Sequence, residues 1–117
     1  MLQSVDLFAG IGAFSYAFRH TFKTIAYCEI DPSCQEILLD NMKRGVIDEA
    51  PIYSDVRTIS GNAIPDRIDL VYAGFPCQDI SSANVSGLGL RGDRSGLFWH
   101  VVRLVNERCD IRGIMLE

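Results

Sequence analysis

Short apolar runs alternate with helix-like stretches along this chain, and this alternation restricts its fold more than any other feature. The pattern is typical of a parallel α/β sheet, in which helices connect neighbouring strands. The sequence predicts five strands, at Ser4–Phe8, Thr24–Cys28, Ile52–Ser54, Ile68–Ala73 and Gly113–Leu116. It also predicts helices, at Ala13–Phe22, at Pro32–Met42 with Asp31 as N-cap, and from Leu97 to about Arg108 with Ser95 as N-cap.

The composition fits a single domain without a membrane span or a metal site. The 117 residues are 48% hydrophobic and 22% charged, which is enough for one core. No apolar run approaches the roughly 20 residues needed to cross a bilayer, and the N-terminus lacks a secretory signal, so we expect a soluble, cytoplasmic protein. The four cysteines form no C-x-x-C pair and are read as reduced thiols. Nucleic-acid-binding domains usually carry a basic face, whereas the net charge here is −4. If the partner is DNA, many of the contacts that hold it therefore lie outside this chain.

If all five strands are parallel, the residues that follow them gather at one edge of the sheet. Gly10 and Gly12 come after the first strand, where missing side chains let a ligand approach the backbone and the helix N-terminus. Position 15, where a dinucleotide-binding loop has its third glycine, is Ser15. Glu29 ends the second strand, from where an acid reaches a ribose diol, and Asp55 could accept a hydrogen bond from an adenine amino group. Each glycine could be only a turn and each acid only a helix cap, but their joint placement predicts an adenosine-like ligand.

A lone thiol, Cys77, follows the buried fourth strand in a tight turn, where an enzyme would place a nucleophile. Glu117, at the end of the neighbouring strand, could supply the acid that such chemistry needs. The other cysteines, Cys28, Cys34 and Cys109, are predicted to be small buried hydrophobes. His20 and His100 are predicted to lie on helices away from this edge, and no chemistry is assigned to them.

The segment Gln78 to Gly96 is a long loop rich in serine and glycine that could serve as a lid. Its polar residues Ser81, Ser82, Arg91 and Arg94 could contact phosphates. A merely solvated loop explains them equally well.

Several segments together carry a resemblance to one enzyme family. They are Asp6-Leu7-Phe8-Ala9-Gly10-Ile11-Gly12, Glu29-Ile30-Asp31, Ser54-Asp55-Val56, Gly74-Phe75-Pro76-Cys77-Gln78, Arg91-Gly92-Asp93-Arg94-Ser95-Gly96-Leu97-Phe98 and Leu116-Glu117. With these motifs the chain resembles the N-terminal half of the bacterial DNA (cytosine-5)-methyltransferases.

The resemblance implies a Rossmann-like doubly wound fold and methyl transfer from S-adenosylmethionine to carbon 5 of cytosine in duplex DNA, expected as part of a restriction-modification system. Cys77 would attack carbon 6 of a flipped cytosine, and Glu117 would interact with ring nitrogen 3. The implied cofactor-binding residues are Phe8, Ala9, Gly10, Ile11, Gly12, Glu29, Ile30, Asp55, Val56, Gly74, Pro76 and Leu97. The implied DNA-contacting residues are Gln78, Ser81, Arg91 and Arg94.

The resemblance stops at Glu117, where the family continues with further strands and a target-recognition region. Residues 1–117 are therefore expected to be the N-terminal part of a catalytic domain, with a sheet truncated after about the fifth strand, an unpaired apolar edge and little activity alone. A shortened form of a longer enzyme, a split enzyme completed by a second polypeptide, and a decayed gene all remain open.

Two other functions remain as alternatives. One is RNA cytosine methylation, although Gly74-Phe75-Pro76-Cys77 is more similar to the DNA enzymes. The other is a non-catalytic S-adenosylmethionine-binding module. A nucleotide-linked oxidoreductase is disfavoured by Ser15 and leaves the Pro76-Cys77-Gln78 segment unexplained.

Overall fold

A five-stranded parallel sheet forms the centre of the chain in the computed structural model, which describes residues 1–75 and 96–117. In chain order the elements are β1 (Leu2–Leu7), α1 (Ala13–Ala17), β2 (Phe22–Cys28), α2 (Pro32–Lys43), β3 (Ile52–Tyr53), two 3-10 helices (Val56–Thr58 and Gly61–Ala63), β4 (Leu70–Ala73), α3 (Gly96–Asn106) and β5 (Gly113–Leu116). Every strand pair is parallel. The predicted α/β class is confirmed, and the predicted N-cap Ser95 lies outside the described residues.

The strand order β3-β2-β1-β4-β5 determines where a ligand can bind. β1 lies in the middle of the sheet, with β2 on one side and β4 on the other, so successive connections leave it in opposite directions. In open α/β sheets a crevice forms outside the carboxyl ends of the strands at such a switch point. The carboxyl ends of β1 and β4 therefore border the natural site.

Both faces of the sheet contribute to the core. On one face α3 packs its buried Val101 and Leu104 against the cluster that contains Val5 and Val71. A smaller cluster surrounds the fully buried Leu38 of α2. Burying each such side chain stabilises the fold by roughly 1.5–3 kcal/mol.

The first helix is much shorter than the predicted Ala13–Phe22. α1 ends at Ala17, and β2 already begins at Phe22, because the backbone N–H groups of Thr21 and Phe22 both donate to the carbonyl of Phe18 and turn the chain. The rings of Phe14 and Phe18 lie 4.9 Å apart, and those of Phe14 and Phe22 lie 6.4 Å apart. The four-residue spacing of these aromatics thus reflects one ring cluster shared by a helix, a turn and a strand.

Other boundaries differ by a few residues from the prediction. β1 ends at Leu7, because Phe8 has a positive φ of 56° that interrupts the extended backbone. β4 begins at Leu70 rather than Ile68, since Asp69 turns its carboxylate to the side chain of Arg67 and to the N–H of Gln3. The two 3-10 helices were not predicted, whereas β5 has the predicted bounds.

Arg108 fastens the segment before β4 to the end of α3. Its guanidinium donates to the carbonyls of Gly61 at 2.7 Å, Ile64 at 2.7 Å and Asp66 at 2.8 Å, and also to the carboxylate of Asp110. These bonds satisfy backbone carbonyls of an irregular segment that has no strand partner for them.

β5 forms one edge of the described sheet and pairs there only with β4. Its side chains Ile114, Met115 and Leu116 are exposed. The expected unpaired apolar edge is therefore present in the described part of the chain.

Candidate active site

A cavity of about 480 Å³ lies at the carboxyl ends of the strands. Its lining combines apolar walls with two carboxylates, and consists of Phe8, Cys28, Glu29, Ile30, Ser54, Asp55, Val56, Arg57, Gly74 and Leu97. Volumes of about 300–1,000 Å³ are typical of small-molecule sites. Of the residues predicted to bind a cofactor, Phe8, Glu29, Ile30, Asp55, Val56, Gly74 and Leu97 line this cavity, and Pro76 lies outside the described residues.

The loop after β1 forms one wall of the cavity without exposing its glycines there. Gly10 and Gly12 have φ angles of 58° and 92°, which residues with a side chain rarely adopt. A Cβ at Gly12 would also lie 3.0 Å from Ile47 Cδ1. Ala9 is buried and Ile11 is exposed, so of this loop only Phe8 belongs to the cavity lining. The glycines allow the loop conformation, and Phe8 supplies the side chain that lines the cavity.

Glu29 joins this loop to the start of α2. Its Oε1 accepts a hydrogen bond of 2.7 Å from the N–H of Gly10, and its Oε2 accepts one of 2.9 Å from the N–H of Asp31. Asp31 in turn caps α2 by accepting from the N–H of Ser33, as predicted. Each carboxylate oxygen has a second lone pair, so Glu29 can still accept bonds from a ligand's hydroxyl groups.

Asp55 is paired with Arg57, a lining residue that the sequence did not suggest. The guanidinium donates to both carboxylate oxygens, with an Nη2–Oδ2 distance of 2.7 Å. These hydrogen bonds lower the pKa of Asp55 to about 2, and the charge of His100 acts in the same direction. His100 lies on α3 and is not among the residues that line the cavity, so its place away from this edge stays a prediction.

The cysteine predictions have mixed outcomes. Cys28 is buried and lines the cavity, where burial and then the charges of Asp55 and Glu29 raise its pKa to about 12. Cys109 is exposed and Cys34 partly so, which contradicts the prediction that both are buried hydrophobes. Sequence alone did not separate them, because helix-end and loop positions are exposed whatever the polarity of the side chain.

Ser15 departs from the dinucleotide pattern because it belongs to a buried polar cluster under the loop. Its hydroxyl donates to Asp6 Oδ2 at 2.8 Å and accepts from Thr24 Oγ1 at 2.8 Å. Asp6 is fully buried, and its Oδ1 has no hydrogen-bond partner among the described residues. Burial raises the pKa of Asp6 to about 7, although the bond from Ser15 opposes the change. A glycine at position 15 would remove one member of this cluster.

The two predicted catalytic residues differ in what the structure describes. Cys77 lies outside the described residues, as do Gln78, Ser81, Arg91 and Arg94. Glu117 is held beside the end of β4: its N–H donates to the carbonyl of Ala73, and its Oε2 accepts from the hydroxyl of Tyr72 at 3.1 Å. Glu117 therefore lies next to the strand end that leads into the Gly74 to Gln78 segment.

The donor set bears on which groups the site can hold. Within residues 1–75 and 96–117 no cluster of three or more His, Cys, Asp or Glu could hold a metal ion. A nucleoside with a ribose diol and an amino base fits the cavity better, because Glu29 and Asp55 offer carboxylate acceptors against apolar walls. No helix in the described ranges is long and apolar enough to cross a membrane.

Parallel strands in this order, with a glycine loop after β1 and an acid after β2, form a Rossmann-like doubly wound sheet. The crystal structure of the Pyrococcus abyssi tRNA (uracil-54, C5)-methyltransferase in complex with S-adenosyl-L-homocysteine shares it, with a TM-score of 0.56 at 18% identity, covering 92% of this chain and 22% of that one. The sequence-family model of the C-5 cytosine-specific DNA methylases matches residues 2–111 of this chain. The chain belongs to this family.

Individual members agree with that assignment. The Type II methyltransferase M.DsaV of Dactylococcopsis salina is 35% identical over 117 residues, covering 99% of this chain and 31% of M.DsaV. A prophage-encoded E. coli protein, described as a DNA modification methyltransferase, has a TM-score of 0.67 at 28% identity and covers 92% of this chain and 29% of its own. The chain spans between 27% and 31% of the length of such curated relatives.

Proposed function

We propose that residues 1–117 are the N-terminal part of the catalytic domain of a DNA (cytosine-5)-methyltransferase, acting on duplex DNA in a restriction-modification system. The observation that carries this proposal is the position of Glu117, next to the strand end that precedes Cys77 and at the same sheet edge as the Glu29 and Asp55 cavity. A cytoplasmic location follows from the proposed substrate.

The cavity residues would hold S-adenosylmethionine, which supplies the methyl group when bound. Glu29 would accept bonds from the ribose hydroxyls, and Asp55 would accept one from the adenine amino group. Phe8, Val56 and Leu97 would exclude water from the base and the sulfonium. The loop residues Ala9, Gly10, Ile11 and Gly12 would shape the wall, and Ile30, Gly74 and Pro76 would complete it.

Cys77 would act on a cytosine that has been flipped out of the duplex. Its thiolate would form a bond to carbon 6, so that the electron pair of the 5,6 double bond becomes available at carbon 5. That carbon would take the methyl group, while the electron pair of the broken carbon–sulfur bond stays on the sulfur of the departing thioether. Glu117 would stabilise the charge that builds up at nitrogen 3 of the ring. A base then removes the carbon 5 proton, and the thiolate leaves with its electron pair. Gln78, Ser81, Arg91 and Arg94 would contact the DNA.

The test is transfer of a labelled methyl group to duplex DNA by three samples: this chain alone, the chain co-expressed with the part of M.DsaV that follows the matched region, and that pair with Cys77→Ala. We expect transfer only in the intact pair. Cys109→Ala is the matched control, because that thiol is exposed and outside the cavity lining, and it should leave transfer unchanged.

Three outcomes would contradict the proposal. Transfer that survives Cys77→Ala would exclude the covalent step. Transfer to tRNA in preference to duplex DNA would favour the RNA alternative. Stabilisation by S-adenosylhomocysteine without transfer to either nucleic acid would favour the non-catalytic binding module.

A further inference from the structure

Arg57 is bonded to both carboxylate oxygens of Asp55, in the lining of the cavity. Three of its N–H groups make four contacts with the two oxygens of Asp55: the backbone N–H at 2.9 Å, Nε at 3.0 Å and 3.1 Å, and Nη2 at 2.7 Å. Both residues line the cavity.

These contacts occupy most of the acceptor capacity of Asp55. An ionised carboxylate offers about four lone-pair positions, two on each oxygen, and three N–H protons of Arg57 already bond to them, the Nε proton being shared between Oδ1 and Oδ2. A ligand amino group therefore competes with the guanidinium for the carboxylate.

The guanidinium bonds are the ones that can be displaced. The backbone N–H of Arg57 is held because Asp55 is the N-cap of the 3-10 helix Val56–Thr58. The Arg57 side chain is 57% exposed, so its guanidinium can move into solvent. Glu29 is the other carboxylate in the cavity lining.

We propose that Arg57 is a specificity-determining residue, whose guanidinium competes with the 6-amino group of the ligand's purine for the carboxylate of Asp55. The proposal rests on the proposed function, because it takes an adenosine ligand as the occupant. While the pair is closed, the guanidinium holds both oxygens of Asp55 and neutralises its charge. Arg57 thereby lowers both the affinity for an adenine ligand and the preference for a 6-amino over a 6-oxo purine.

The experiment is calorimetric titration of the 117-residue chain with S-adenosylhomocysteine and with its 6-oxo analogue, S-inosylhomocysteine. For Arg57→Met we expect S-adenosylhomocysteine to bind about 1.5- to fivefold more tightly, the range expected for releasing one exposed ion pair. Binding of the 6-oxo analogue should stay the same or weaken, since a bare carboxylate faces its carbonyl oxygen. The gain should vanish in Asp55→Asn/Arg57→Met, where the carboxylate is gone.

Two further variants control for the loss of a surface ion pair and for the charge of residue 57. Arg44→Met removes an exposed ion pair with Asp40 on α2, away from the cavity lining, and should leave both affinities unchanged. Arg57→Lys keeps the charge but not the two-pronged geometry, so its affinity should lie between those of the wild type and Arg57→Met.

The outcomes separate this inference from the proposed function. Equal or weaker binding of S-adenosylhomocysteine by a folded Arg57→Met protein, with wild-type binding intact, would overturn the inference alone. Absence of S-adenosylhomocysteine binding by the wild-type chain would overturn both. Tighter binding of both purines to the same degree would show a general effect of charge and would also overturn it.

Discussion

Replacing Asp6 with asparagine should change how the stability of the chain depends on pH. Asp6 is fully buried, and burial raises the pKa of its carboxyl from 3.8 to about 7. The folded state therefore holds a proton that the unfolded state releases between about pH 4 and pH 7. The contribution of this group to stability is fully present below the unfolded pKa and is lost as the pH rises through the folded one.

The size of the effect follows from the shift. At 1.36 kcal/mol for each unit, the wild type should lose about 4 kcal/mol of unfolding free energy relative to Asp6→Asn between pH 4 and pH 8. Asparagine suits the comparison because its carbonyl oxygen can accept the bond from Ser15 without ever ionising.

Urea unfolding of both proteins from pH 4 to pH 8 measures the difference directly. Using the difference removes the contribution of carboxylates with lowered pKa, such as Asp55, which is common to both proteins. Asp40→Asn is the matched control, because Asp40 is solvent-exposed and its substitution should shift the curve little at any pH. A wild-type minus Asp6→Asn difference that stays constant across this range would refute the reasoning.

Three further predictions concern folding and association. Gly12→Ala should destabilise the chain by about 2–3 kcal/mol in urea, because it adds a core clash to the positive φ, whereas Gly45→Ala, with open space around its Cβ, should cost about 1 kcal/mol; equal losses would contradict the clash. Arg108→Met should cost about 2–4 kcal/mol by leaving carbonyls without donors, and the exposed Arg112→Met should cost under about 0.5 kcal/mol. Ile114→Lys should lower the light scattering of concentrated solutions, because an unpaired apolar edge strand favours association between copies and a lysine there opposes it; equal scattering by both proteins would contradict this.

Most of the fold could be predicted from the sequence, because parallel buried strands have an unmistakable local signature. β5 has the predicted bounds, and the other strands lie within two residues of their predicted ends. The exception, α1, shows the limit of periodicity. Phe14, Phe18 and Phe22 have helical spacing, but their rings meet across a turn, and no local pattern distinguishes that from one long helix.

The site was predictable where it depends on strand order and less so where it depends on side-chain pairing. Glu29 and Asp55 follow strands, so the parallel sheet brings them to the cavity. Arg57 was missed because a basic residue two positions after an acid is common in sequence. Only the geometry shows that its guanidinium donates to both carboxylate oxygens of Asp55.

The two bonds of Glu29 have a consequence for the thermodynamics of recognition. Because its carboxylate already fixes the backbone at Gly10 and Asp31, the conformational entropy of both loops is lost when the chain folds. A ligand would find these loops rigid and would not have to order them. Folding stability and ligand affinity would then depend on the same carboxylate. A substitution of Glu29 that lowers the folding stability would therefore also lower the ligand affinity.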